Sequence, residues 1–161
     1  MIGLFWITPD AVYVGSPPDA MGSCVRLSVD GLEAFDLDGA SRMWRWEAVR
    51  SAVVEDVPVE GSGGLFASVV SAAVGAFHGE GPRAMRLRLE TEDGTEEVTV
   101  HSAAARGYGT EEAALSQDLL ARFVAGTADP RTVEEWGREH GLENTPKPRV
   151  REELLRTWVQ A

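Results

Sequence analysis

The sequence predicts an α+β protein, in which a strand-rich body is closed by an amphipathic helix and followed by a small helical hairpin. Three observations indicate this class. Apolar and polar residues alternate in short runs over the first hundred residues, the apolar period changes to four after Gly109, and helix signals return after Pro130. We therefore expect a body of residues 1–126 and a C-terminal hairpin of residues 130–161.

The size and composition are those of a globular protein. The chain has 161 residues, of which 43% are hydrophobic and 25% are charged, and this length suffices to bury a core. No uninterrupted apolar run reaches the length of about 18 residues that indicates a membrane-spanning helix. The single cysteine, Cys24, excludes an intramolecular disulfide framework and fits a reducing compartment. A cytoplasmic protein without a membrane partner is expected.

Charge is distributed unevenly along the chain. The net charge is −11, yet residues 130–161 carry six basic and six acidic side chains. The body therefore holds the whole excess, with 9 basic against 20 acidic residues. Because such a body repels nucleic acid and anionic lipid at long range, any polyanion is expected to bind through the tail.

Short alternating runs between turn residues predict the strands of the body. They are Leu4–Ile7, Ala11–Val14, Val25–Val29, a return strand around Phe35 and Leu37, a segment with Trp44 and Trp46 on one face, Val49–Val57, and residues 85–89 and 98–100. In the closing helix, Thr110 is the expected cap, with Glu111 and Glu112 in the first turn. Gly126 is expected to end that helix.

The order of these elements carries a resemblance that covers about residues 1–126. Strands followed by one closing helix, with a tryptophan-containing strand entry at Trp46–Val53, resemble a bacterial pleckstrin-homology-like (PH-like) domain. The resemblance implies a binding scaffold rather than a catalyst, with a protein partner for the body. The basic loop with which such domains bind phosphoinositides is not evident in the sequence.

An apolar segment interrupts the strand series at residues 65–77. Its large side chains recur at four-residue steps, which predicts an inserted helix. Two interpretations stay open, a helix packed on the body or a partner-binding helix with an exposed apolar face. The absence of lysine and arginine from its polar face disfavours a membrane-surface helix. For the second interpretation, the possible partner-binding residues are Leu65, Phe66, Val69, Val70 and Phe77.

The tail predicts two short helices with an extended loop between them. After the break at Pro130, the segment Thr132–Glu135 has the form of a capping box, and Gly141 is the expected end of the first helix. The second helix is expected to begin near Arg151. The residues expected to face a shared core are Val133, Trp136, His140, Leu154, Leu155 and Trp158.

About thirty residues of this tail carry a further pattern. Its helices hold matching positions at Val133, Trp136, Arg138, Gly141, Glu153, Leu154 and Trp158. With them, Lys147-Pro148-Arg149 falls on an R-G-R loop, although proline stands in place of glycine and lysine in place of arginine. The stretch resembles the DNA-binding domain of the actinobacterial Lsr-type (H-NS-like) nucleoid-associated silencer family. The resemblance implies weak minor-groove contact with AT-rich DNA through Lys147, Pro148, Arg149 and Arg151.

The sequence contains no catalytic or metal-binding motif. His78, His101 and His140 do not have the spacing of metal ligands, and neither a complete phosphate-binding fingerprint nor a nucleophile elbow is present. We therefore expect a protein that is not an enzyme and that carries no metal and no cofactor.

Three functions stay open from the sequence. In the first, the protein is non-catalytic and DNA-associated, with the tail on DNA and the PH-like body on a protein partner. In the second, it is a cytoplasmic protein–protein adaptor whose tail is a docking hairpin. In the third, it is a small-ligand carrier or an unrecognised enzyme that uses the body.

Overall fold

A computed structural model describes residues 1–18, 23–36, 38–60, 83–141 and 144–161. It confirms the α+β class, since the described residues form a five-stranded sheet, a three-stranded sheet and three α-helices. Both sheets are antiparallel, in the orders β1-β2-β3-β4-β5 and β6-β7-β8. The strands are β1 (Phe5–Ile7), β2 (Val12–Val14), β3 (Cys24–Ser28), β4 (Gly31–Phe35), β5 (Ser41–Arg45), β6 (Val49–Glu55), β7 (Ala84–Thr91) and β8 (Thr95–His101). The helices are α1 (Thr110–Ala125), α2 (Arg131–His140) and α3 (Pro148–Gln160), and a short 3-10 helix (Trp46–Ala48) joins β5 to β6.

Residue alternation decides which side chains of the strands enter the core. Along β3, Val25 and Leu27 are fully buried while Arg26 between them is exposed, and β7 repeats this with Leu87 and Arg88. The inner faces of the two sheets and the buried face of α1 form one continuous core. The predicted hairpin of β7 and β8 is confirmed, and Trp46 departs from the expected strand because it begins the 3-10 helix.

Helix α1 closes the body as the sequence predicts, but its N-terminus differs from the expectation. Gly109 occupies the cap position in an extended conformation, so Thr110 lies inside the helix and its hydroxyl caps nothing. At the other end, Gly126 adopts a left-handed conformation (φ 67°) and donates its N–H to the carbonyl oxygens of Arg122 and Phe123, which confirms the predicted stop. Leu119 and Phe123 are buried as expected.

Helices α2 and α3 pack on the body rather than forming a hairpin of their own. Helix α3 lies along α1, and α2 lies against the turn between β1 and β2. The predicted contact between Trp136 and Trp158 is present, with ring centroids 6.0 Å apart, and Leu155 is fully buried in the common core. The expected division into residues 1–126 and 130–161 is therefore not a division of the core.

Two glycines explain how α2 reaches the body. A Cβ atom on Gly137 would lie 2.6 Å from the carbonyl oxygen of Thr8, and one on Gly141 would lie 2.7 Å from the nitrogen of Pro9. Only glycine allows such a close approach between a helix and a turn. The capping box predicted at Thr132–Glu135 does not form, because the cap is Pro130 and the side chain of Asp129 accepts the backbone N–H of Arg131 (2.9 Å).

The apolar segment at 65–77 and its possible partner-binding residues lie outside the described residues. These residues are Leu65, Phe66, Val69, Val70 and Phe77. Among the helices that the structure describes, none has the length and apolar character needed to cross a membrane.

Candidate functional site

Arg151, which the sequence places in a DNA-binding loop, is an internal residue of α3. Its guanidinium donates from Nε and Nη2 to the two carboxylate oxygens of Glu112, at 2.5 and 2.8 Å, and from Nη1 to the carbonyl oxygen of Pro146 at 2.9 Å. The side chain of Arg151 is 14% exposed and that of Glu112 is 1% exposed. The hydrogen bonding of the Arg151 guanidinium to the Glu112 carboxylate raises the pKa of Arg151. The resemblance implies that Arg151 contacts DNA, whereas in the structure its guanidinium binds Glu112 and Pro146 inside the protein.

Glu112 is the residue that sequence reasoning missed. Instead of facing solvent in the first turn of α1, its carboxylate also accepts the backbone N–H of Gly3 (2.8 Å), so that it joins the N-terminal segment, α1 and α3. One turn later, the hydroxyl of Ser116 accepts the N–H of Leu4 (3.1 Å) and donates to the carbonyl oxygen of Glu112 (2.7 Å). The signal in the sequence is the helical spacing, since Glu112 and Ser116 share the buried face of α1.

The remaining predicted DNA-binding residues are exposed at the start of α3. The helix begins at Pro148, three residues before the expected position, because proline suits the first turn, where its missing N–H would have no partner. Arg149 therefore lies on the helix rather than in a loop; its side chain is 89% exposed and its Nε lies 3.1 Å from a carboxylate oxygen of Glu153. Lys147 is exposed and has no carboxylate within 4.0 Å among the described residues. The exposed basic set is thus Lys147 and Arg149.

Most basic side chains of the described chain are paired with carboxylates. Those without a carboxylate oxygen within 4.0 Å, among residues that the structure describes, are Arg45, Arg83, Arg106, Arg138 and Lys147. In the tail, this leaves Arg138 on α2 and Lys147 before α3.

The outer face of the three-stranded sheet is covered by charged side chains. Arg86 lies within 4.0 Å of carboxylate oxygens of Glu55, Asp56 and Glu97. Arg88, two residues further along β7, pairs with Glu55 at 3.8 Å and with Glu90 at 2.7 Å. Such a lattice of charges on one sheet face is typical of a surface that faces water.

The outer face of the five-stranded sheet has a different composition. The strand register places one row of outward side chains across all five strands, and Phe35 lies beside that row. The row consists of Trp6, Tyr13, Arg26, Glu33 and Met43. Arg26 pairs with Glu33 (2.5 Å) and its guanidinium lies 5.6 Å from the ring centroid of Phe35. Met43, at the end of the row on β5, is 42% exposed.

A cleft of about 490 Å³ lies between this outer face and α2. The sheet contributes Arg26, Ser28 and Met43, and the facing side of α2 contributes Glu134 and Arg138. The turn between β1 and β2 closes one end of the cleft. The close approach of Gly137 and Gly141 to that turn brings α2 to one side of the cleft, and Met43 on β5 lines it from the sheet.

The histidines and carboxylates of the described chain do not assemble into a metal-binding cluster of three or more ligands. The ring of His140 stacks on Trp136, with centroids 5.1 Å apart, and His101 is half-buried at the end of β8. His78 lies outside the described residues.

Comparison of the chain with protein-family models, with curated proteins and with solved structures found no match. The resemblances to a PH-like domain and to the Lsr-type silencer therefore stay predictions. The function proposed below is supported by the geometry of the two sheet faces and of the tail.

Proposed function

We propose that this chain is a cytoplasmic protein-binding module, or adaptor, whose partner docks on the outer face of the five-stranded sheet. The observation that carries the proposal is the contrast between the two sheets. One outer face is covered by mutually paired charges, whereas the other presents aromatic and methionine side chains beside an open cleft. The cytoplasmic location rests on the presence of a single cysteine.

The residue types on this face support a protein partner. Tyrosine, tryptophan, methionine and arginine are the side chains enriched in protein–protein interfaces, and the row holds one of each. Trp6 and Tyr13 are half-buried, so a partner would cover them fully. The hydroxyl of Tyr13 is protonated at neutral pH, as in any tyrosine, and burial raises its pKa further, so it can donate a hydrogen bond to a partner.

The test compares two exposed apolar residues of similar accessibility. A photo-crosslinking amino acid replaces Met43, which is 42% exposed on the five-stranded sheet, or Val53, which is 45% exposed on the three-stranded sheet. In the cells that make this protein, we expect a discrete crosslinked product from position 43 and none from position 53. Equal products from both positions, or none from position 43, would contradict the proposal.

A second candidate function, weak contact with AT-rich DNA, is favoured by the exposure of Lys147 and Arg149. Because Arg151 is paired with Glu112 and the body is acidic, Lys147 and Arg149 are the two members of the predicted basic set that are exposed in the described structure. A gel shift with AT-rich duplex at low salt, using the parent and the Lys147→Ala/Arg149→Ala variant, tests it. Loss of a shift in the variant alone supports the DNA function, and equal behaviour of both proteins rejects it.

A further inference from the structure

We infer that the partner binds as an extended acidic peptide segment that adds a sixth strand to the five-stranded sheet along β5. This inference rests on the proposed function and names the chemistry of its partner. It follows from three features of β5, which are its unpaired backbone groups, its charge and its position next to the cleft.

The backbone groups of β5 alternate between the neighbouring strand and the open edge. At the two ends of the hairpin of β4 and β5, Asp36 donates its N–H to Ala40 (2.9 Å) and Trp46 donates its N–H to Asp30 (3.3 Å). Hydrogen-bonded pairs in an antiparallel ladder recur at every second residue, so the even-numbered residues of β5 bond to β4. The N–H and C=O groups of Ser41, Met43 and Arg45 consequently point away from the sheet.

Two of the other sheet edges are closed by specific hydrogen bonds. At β1, Phe5 and Ile2 exchange backbone bonds of 2.9 and 3.0 Å, so the N-terminal turn covers that edge. At β6, the side-chain amide of Gln117 on α1 accepts the N–H of Val54 (3.1 Å) and donates to its carbonyl oxygen. A side-chain amide here takes the place of a neighbouring strand.

The outer edge of β8 is also occupied. The hydroxyl of Ser23 donates to the carbonyl oxygen of Thr99 (2.7 Å). The backbone N–H of Ser16 donates to the carbonyl oxygen of His101 (2.7 Å). For β5, no hydrogen bond joins the outward backbone groups to any part of the chain that the structure describes. An exposed edge of this kind is a template for pairing with another chain.

The charge of β5 selects the kind of strand that pairs with it. Its sequence, Ser-Arg-Met-Trp-Arg, holds two arginines and no carboxylate within a chain of net charge −11. Arg45 is exposed and has no carboxylate within 4.0 Å in the described structure. A carboxylate directly opposite Arg45 on an added strand forms a favourable cross-strand pair. Arg42 is already paired with Glu96 (2.6 Å), so Arg45 is the arginine of β5 that lacks a carboxylate in the described structure. A second copy of β5 would supply arginines and no carboxylate to this edge, and this favours a different, acidic chain.

The neighbouring side chains add a second requirement. Met43 and Arg45 lie two residues apart, so both side chains point to the outer face, where Met43 also lines the cleft. An added strand therefore places an apolar residue against Met43 and an acidic residue two positions away against Arg45. Met43 thus belongs both to the proposed docking face and to the open edge.

In the experiment, a displayed library of random twelve-residue peptides is selected for binding to the immobilised full chain. The affinities of the selected peptides are then measured for the parent protein and for two matched variants. Arg45→Glu reverses the charge at the edge, and Arg50→Glu reverses an exposed arginine of the other sheet (67% exposed side chain) as the control. We expect selected peptides to carry an acidic residue two positions from an apolar one. Their affinity should fall at least about fivefold for Arg45→Glu, because attraction becomes repulsion, and stay unchanged for Arg50→Glu.

A modified peptide tests the backbone pairing without altering the protein. N-methylation of the one peptide amide that faces Met43 removes a donor and should abolish binding, whereas methylation at the next residue should not. No selected peptide, selected peptides without acidic residues, equal affinity for Arg45→Glu, or tolerance of both methylations would each overturn the inference. So would dimerisation of the chain through Met43, which would identify a second copy as the occupant. If Met43 still crosslinks a partner in any of these cases, the inference fails alone and the proposed function stands.

Discussion

Replacing Arg151 with methionine is expected to destabilise the protein strongly, because it would leave the carboxylate of Glu112 buried without its cation. Two of the three hydrogen bonds that the carboxylate of Glu112 accepts in the described structure come from Arg151, and the third comes from the N–H of Gly3. The side chain of Glu112 is 1% exposed, so water cannot replace the lost donors. A methionine keeps the packing of the aliphatic stem while removing the charge.

The expected magnitude follows from the burial of the pair. Removing one partner of a buried ion pair costs about 3–5 kcal/mol in the free energy of unfolding. At about 2–4 °C per kcal/mol for a chain of this length, the thermal midpoint would fall by about 6–20 °C. Arg156→Met is the matched control, because Arg156 pairs with Glu111 and Glu152 on the surface and the expected cost there is about 0–1 kcal/mol.

A double-mutant cycle separates the pair from other effects of the substitution. Glu112→Gln keeps an acceptor for the N–H of Gly3 but removes the charge, so the Glu112→Gln/Arg151→Met variant should be less destabilised than Arg151→Met alone. The assay is unfolding in urea, monitored by tryptophan fluorescence. The slope of the free energy of unfolding against urea concentration should be the same for all variants, as two-state behaviour requires. A free energy of unfolding for Arg151→Met within about 0.5 kcal/mol of that for Arg156→Met would refute the reasoning and return Arg151 to the surface.

Three further predictions concern the tail and the core. Gly137→Ala should lower the midpoint of thermal unfolding although alanine favours helices, because its Cβ would lie 2.6 Å from the carbonyl oxygen of Thr8. An unchanged midpoint would contradict the close packing of α2 against the turn. Burial raises the pKa of Tyr108 above its ordinary value near 10, so the stability that it contributes is complete below that pH and is lost as the pH rises further. Tyr108→Phe should therefore flatten the loss of stability above about pH 10 in denaturant titrations. If the tail binds DNA, Lys147 and Arg149 alone imply a slope of about −1.8 for log affinity against log salt, and a slope near −2.7 would show that a third cation takes part.

Several elements of the fold were predictable because they depend on neighbouring residues. The alternation at residues 85–89 and 98–100, with Asp93-Gly94 between them, requires a hairpin whatever surrounds it, and the structure confirms it. Gly126 ended the predicted helix α1 for a similarly local reason, namely the left-handed conformation that glycine adopts at little cost. Local capping was less predictable, since Gly109 and Pro130 occupy the cap positions that the sequence predicted for Thr110 and Thr132.

The sequence by itself determined the fold class, the order of the elements and the uneven distribution of charge, because periodicity, turn residues and charge are properties of adjacent positions. Only the tertiary structure decided the roles of individual polar residues. Arg151 and Glu112 are 39 positions apart, and no periodicity links them. Likewise, the open edge of β5 becomes visible only when the partners of the other edges, such as Gln117 at β6, are known. A side chain's use depends on what the fold brings to it, and that information lies in long-range packing.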